Sequence, residues 1–278
     1  MTSSTITLTA ADGFQSSAYI CEPPYAPKGA IVVLQEIFGV NSHIRGVADR
    51  YAAAGYLAVA PATFDRVEKG VQFGYTPEDM KRGSSLKAAV EALPAPGVLQ
   101  DIQAAVDFAA SAGKVGIVGY CWGGLLVWRA AEKVTGLAAA VSYYGGGMTA
   151  GSEASRKPAV PTMSHFGELD THIPVDGVKA FEKLHPEVEV HLYDANHGFN
   201  CEQRGSYNAG AAATALERSL FHFGKHVAET HGKGAGPGHL PRPAPSGAAS
   251  GLYCVSSVIN AGFGLPQPVT RSNLVPAV

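Results

Sequence analysis

The sequence predicts an α/β fold, with a mostly parallel central sheet and helices on both of its faces. Three observations predict it. Short apolar runs alternate with helix-patterned stretches along most of the first 230 residues, the order expected of strand–helix–strand units. Several of those runs, Ala30-Ile31-Val32-Val33-Leu34 among them, are apolar throughout rather than alternating, as strands buried on both faces are. One run, Val115 to Val118, leads into Gly119-Tyr120-Cys121-Trp122-Gly123-Gly124 and then a helix-forming stretch from Leu125 to Lys133. That order reads as strand, sharp turn, helix.

Taken in order, Thr5 to Thr9 and Ser17 to Cys21 read as two strands around the turn signal Asp12-Gly13. Ala30 to Leu34 is the third, and Gln35 to Asn41 a loop. Ser42 is the expected N-cap of a helix carrying Ile44, Val47, Ala48 and Tyr51 at helical spacing up to Gly55. Leu57 to Ala60 is a strand, followed by helices from Pro77 to Leu93 and from Val98 to Ala110. Lys114 to Val118 is the strand before the Cys121 turn, and Leu137 to Tyr143 the next. Thr162 to Phe166 and Glu189 to Tyr193 complete the sheet, with a helix from Val175 to Leu184 between them and a last one from Ala209 to Val227. Beyond Thr230 the chain turns rich in Gly, Pro, Ala and Ser. The expected organisation is therefore one domain over 1–229 and a flexible tail over 230–278.

Composition narrows the function classes. A chain of 278 residues with 46% hydrophobic content can bury one sizeable core. A net charge of -2, from 21 basic and 23 acidic residues, leaves no basic stripe for nucleic acid. The four cysteines, Cys21, Cys121, Cys201 and Cys254, are scattered, with no CxxC or Cys/His spacing of a zinc site. No metal and no cofactor is implied. Reduced thiols, no signal peptide and no apolar run of membrane-spanning length lead us to expect a cytoplasmic monomer acting on a small molecule, with no membrane partner.

The Cys121 turn is a nucleophile elbow with cysteine in the place more often held by serine. It would expose the sulfur at a helix N-terminus, where the helix dipole and free N–H groups favour negative charge. A thiol nucleophile wants a base, and the base an orienting acid. Asp170 lies in the loop after one predicted strand, and His197 in the loop after the next. Both land at carboxyl ends of strands, as Cys121 does, and follow it in the order nucleophile, acid, histidine. His172 and His165 are rival bases.

Together, Gln35-Glu36-Ile37-Phe38-Gly39-Val40-Asn41, the Cys121 turn, the Asp170 loop and Asn196-His197-Gly198-Phe199 resemble the dienelactone hydrolase (carboxymethylenebutenolidase) family. The resemblance runs to about Val227 and implies an α/β-hydrolase fold. It implies Cys121 as nucleophile, His197 as base and Asp170 as its orienter, with the backbone N–H groups of Ile37 and Trp122 as an oxyanion hole. It makes Glu36 a switch that controls ionisation of the thiol. It implies a lactone substrate whose carboxylate is held by arginines, for which Arg82 with Lys81 beside it, and Arg204, are the candidates. Cys201 stands four residues after His197, where the best-known members carry an arginine. Tyr75, Phe38 and Phe199 are candidates for lining an apolar pocket. Opening of dienelactone to maleylacetate, in the breakdown of chloroaromatics, is the expected reaction. A general carboxylesterase or thioesterase on the same triad, and a non-enzymatic thiol redox sensor at Cys121, remain open alternatives.

Overall fold

The structure is a computed structural model and describes residues 1–228; the predicted tail falls outside the described residues. Eight strands form one sheet: β1 (Thr2–Thr9), β2 (Gln15–Glu22), β3 (Ala30–Leu34), β4 (Leu57–Pro61), β5 (Val115–Tyr120), β6 (Leu137–Tyr143), β7 (Thr162–Gly167) and β8 (Val188–Tyr193). Their order across the sheet is β1-β2-β4-β3-β5-β6-β7-β8. The β1–β2 and β2–β4 pairings are antiparallel and all the others parallel. The helices are α1 (Ser42–Ala53), α2 (Pro77–Glu91), α3 (Leu99–Ala109), α4 (Trp122–Lys133), α5 (Val175–Leu184) and α6 (Ala209–His226). The predicted fold class is the observed one.

The reasons are local. Every residue of β3, β4 and β5 is buried, which is why these strands read as unbroken apolar runs. Edge strand β1 is largely exposed and, from Thr5 to Thr9, alternates Thr with Ile6 and Leu8. Gly13 takes a positive φ of 84° at the β1–β2 turn, and the Asp12 carboxylate accepts the Phe14 N–H. The cap of α1 is Asn41, whose side-chain oxygen accepts the Ile44 N–H, and the predicted cap Ser42 is the first helical residue. Both are good capping types; an asparagine one residue earlier gave the loop its ending. Helix α2 starts with a capping box, Thr76 and Asp79 each accepting the other's backbone N–H.

The far end of the sheet holds neutral histidines. His165, fully buried on β7, reaches Tyr193 Oη at 2.9 Å and Ser219 Oγ at 3.0 Å. Burial holds its pKa well below the ordinary 6.5, helped by the neighbouring His191. A folded-state pKa below the unfolded one means that stability is retained above about pH 6.5 and lost as pH falls below it. We expect His165 to contribute a loss of stability that steepens as pH falls below 6.5, toward the limit of about 1.4 kcal/mol per pH unit for one proton. Urea unfolding at pH 7, 6 and 5 measures this, and a flat profile would refute it.

Candidate active site

Strand β5 ends at Tyr120 and α4 begins at Trp122, so Cys121 alone makes the turn. Its φ of 55° and ψ of -118° are strained for a residue with a side chain. The turn closes only because its flanks are glycine. A Cβ on Gly119 would strike the Gly123 carbonyl, and one on Gly123 would strike the Gln35 carbonyl and lie 2.6 Å from that of Leu34. All of these are backbone atoms that cannot step aside. Gly123→Ala should therefore cost about 3 kcal/mol of stability, measured by urea unfolding; an unchanged midpoint would contradict this packing. Trp122 pins the turn from outside, its indole N–H donating to Glu91 Oε1 at 2.7 Å and its ring stacking on Phe64.

Loops from β7 and β8 meet this turn. His197 Nδ1 lies 2.6 Å from Asp170 Oδ2, and Asp170 Oδ1 accepts the His172 backbone N–H at 2.8 Å. Asp170 is buried, which alone would raise its pKa, yet His197 and the His172 N–H hold its carboxyl below the usual range. Burial likewise works against a charged His197. The hydrogen bond to Asp170 and the adjacent Cys121 sulfur override it and push the imidazole up to about 10. A protonated His197 ring would give a thiolate at Cys121 a cationic neighbour.

Cys121, His197, Ile37, Phe38 and Arg204 line one cleft, together with Met80, Ser84, Lys87, Gly146 and His172. Its volume of about 250 Å³ suits a small molecule rather than a macromolecule. Among the described residues, the Ile37 and Trp122 backbone N–H groups donate to no backbone acceptor outside their own helix or strand. The loop bearing Ile37 is held by α2, where the absent side chain of Gly83 lets the helix pack onto the Ile37 carbonyl.

Other expected positions differ. Arg82 pairs with Glu68 at 3.1 Å and lies over the Phe73 ring, and Lys81 is exposed, so neither reaches the cleft. Helix α2 turns Gly83, Leu86 and Val90 inward, which sets Met80, Ser84 and Lys87 along the face that borders the cleft. Lys87 is the basic residue that sequence reasoning missed; its spacing from Met80 was the available signal. Phe199 is fully buried against Tyr143, Tyr144 and Tyr193 as core packing. Tyr75 stands behind the cleft, edge-on to Phe38, and donates to Glu36 Oε2 at 3.2 Å. Glu36 is fully buried and makes no hydrogen bond to Cys121; Arg204 Nη1 lies 3.6 Å from its Oε1. Of the rival bases, His165 belongs to the core. His172 borders the cleft, but Asp170 holds its backbone rather than its ring.

A mostly parallel sheet with a strained elbow after β5, and an acid and a histidine in the loops after β7 and β8, defines an α/β-hydrolase. The chain belongs to the dienelactone hydrolase family, whose model matches residues 16–227. It is 34% identical over 223 residues to the "Putative carboxymethylenebutenolidase" of Synechocystis sp., covering 73% of this chain and 89% of that one. It is 33% identical over 225 residues to the carboxymethylenebutenolidase of Pseudomonas putida, covering 77% and 93%. A crystal structure from Klebsiella pneumoniae, described as a "Putative Dienelactone Hydrolase", is 30% identical with a TM-score of 0.68, covering 81% of this chain and all of that one. The protein is a hydrolase of this family. No helix among the described residues is long and apolar enough to cross a membrane.

Proposed function

We propose that this hydrolase opens a lactone that carries a carboxylate, with dienelactone to maleylacetate as the reaction. The observation that carries this reading is the 2.6 Å Asp170–His197 contact beside Cys121 in a cleft. The Cys121 thiolate attacks the lactone carbonyl, and the developing oxyanion is received by the Ile37 and Trp122 N–H groups. The ring C–O bond then breaks, giving a thioester and an enolate, and the His197 imidazolium can return a proton to it. Neutral His197 next takes a proton from water. The resulting hydroxide attacks the thioester, the C–S bond breaks, and the open-chain acid leaves with the thiolate restored. Asp170 steers the ring throughout.

The substrate carboxylate would face Lys87 and Arg204, the lysine and the arginine that border the cleft. Glu36, hydrogen-bonded to Tyr75 and close to Arg204, then acts first through Arg204, by holding that guanidinium at the cleft wall. A direct proton exchange with Cys121 would require the carboxylate to leave Tyr75.

Kinetics on dienelactone and on an uncharged aryl ester test the reading. Lys87→Met should raise KM for dienelactone about tenfold, the effect of losing one exposed charge-assisted contact. It should leave the aryl ester within twofold. Equal effects on both substrates would remove Lys87 from carboxylate binding, and wild-type turnover of the aryl ester alone would sink the lactone assignment.

A further inference from the structure

We propose that Glu36, His43 and Cys201 form a binding site for a thiophilic divalent cation, Zn²⁺ foremost, set behind the cleft. Glu36 and His43 lie on one stretch of chain and Cys201 far along it, yet one ligand atom from each lies within 4.8 Å of the others, and all three are buried. The sulfur, nitrogen and oxygen donors suit zinc and not calcium or magnesium, which prefer oxygen alone. His43 points its ring the right way: Nδ1 lies 2.9 Å from Glu202 Oε2, so that Nδ1 carries the proton and Nε2 offers its lone pair inward. Arg50 braces the same carboxylate at 3.7 Å. A carboxylate fixing the far nitrogen of a histidine is the usual second layer of a metal site.

The inward atoms want a partner. His43 Nε2 and Glu36 Oε1 are both buried without a hydrogen bond, a costly condition for polar groups in a core. A cation would satisfy both at once. Zinc bond lengths put neighbouring ligands about 3.3–3.8 Å apart, so the trio has to close by about 1 Å from its widest separation. Rotation of the Glu36 carboxylate supplies much of that. Arg204, 3.6 Å from Glu36 Oε1, carries like charge and would withdraw into the cleft that it already borders. If the hydrolytic reading holds, metal capture therefore detaches Arg204 from Glu36 and slows turnover until a chelator removes the ion.

The test is Zn²⁺ titration of the full-length chain against a chromophoric chelator, on a Cys121→Ser background so that the cleft thiol takes no part. One ion should bind with Kd below about 1 µM. Adding Cys201→Ser should weaken it at least 100-fold, and adding Glu202→Gln 10–100-fold. With Co²⁺, a thiolate-to-metal charge-transfer band should appear and vanish in the Cys201→Ser variant. Millimolar affinity, or affinity and band unaltered by Cys201→Ser, would overturn the site. Circular dichroism checks that Cys201→Ser folds; if it does not, the solvent-facing Glu202→Gln variant decides. These readouts do not use catalysis, so retained lactone turnover by Cys121→Ala would sink the hydrolytic mechanism and leave the metal site standing.

Discussion

Cys121→Ala should lower kcat for lactone hydrolysis by about 10⁴-fold or more while leaving the fold intact. The reasoning starts from chemistry. Without the sulfur no thioester can form, and what survives is water attack helped by the oxyanion donors and by binding. Removing one member of a unit that acts together costs almost as much as removing all of it. The strained backbone at Cys121, φ 55°, is tolerable for alanine to the same degree as for cysteine, since both carry a Cβ. Stability should therefore change little, and melting temperature separates loss of chemistry from loss of fold. Retention of more than a tenth of wild-type kcat would take Cys121 out of the reaction.

Asp170→Asn has the second-largest expected effect, a fall in kcat of about 10³–10⁴-fold. Asp170 Oδ1 accepts the His172 N–H, so the asparagine oxygen should stay there. Its amide would then donate to His197 Nδ1 and place the ring proton on Nε2, the wrong side. It would also remove the charge that, with the Cys121 sulfur, pushes His197 up to about 10. The sign of the stability effect follows. A raised folded-state pKa contributes stability fully present below about pH 6.5 and lost as pH rises through about 10. The variant should lose the Asp170 share of that dependence, so its melting temperature should come closer to that of wild type near pH 10. The His197 imidazole, followed by NMR, should titrate much closer to the ordinary 6.5. An unshifted titration would mean that Asp170 does not hold the ring.

The sequence made the framework legible for physical reasons. Doubly buried strands such as β3 have to be apolar at every position, and an elbow has to have glycine at 119 and 123, so both leave marks that one chain can show. Side-chain direction leaves weaker marks. Lys81, Arg82 and Lys87 sit on a helix with few apolar residues, and its rotation was fixed only by Gly83, Leu86 and Val90 meeting the core. Nothing in the local pattern marks Gly83, which turns inward because the Ile37 carbonyl comes so close. Phe199, two residues after His197, suggested a pocket wall, but three tyrosine rings pack around it. Glu36 read as a partner for the thiol, and only the folded chain shows Tyr75, Arg204, His43 and Cys201 around it.

Titrating the thiol against activity tests the central claim most directly. The protein is treated with substoichiometric iodoacetamide, and peptide mass mapping measures the fraction of Cys121 alkylated. Residual lactone turnover should fall in direct proportion to that fraction and reach zero at full modification, with substrate slowing the alkylation. Full alkylation of Cys121 with turnover unchanged would contradict the account.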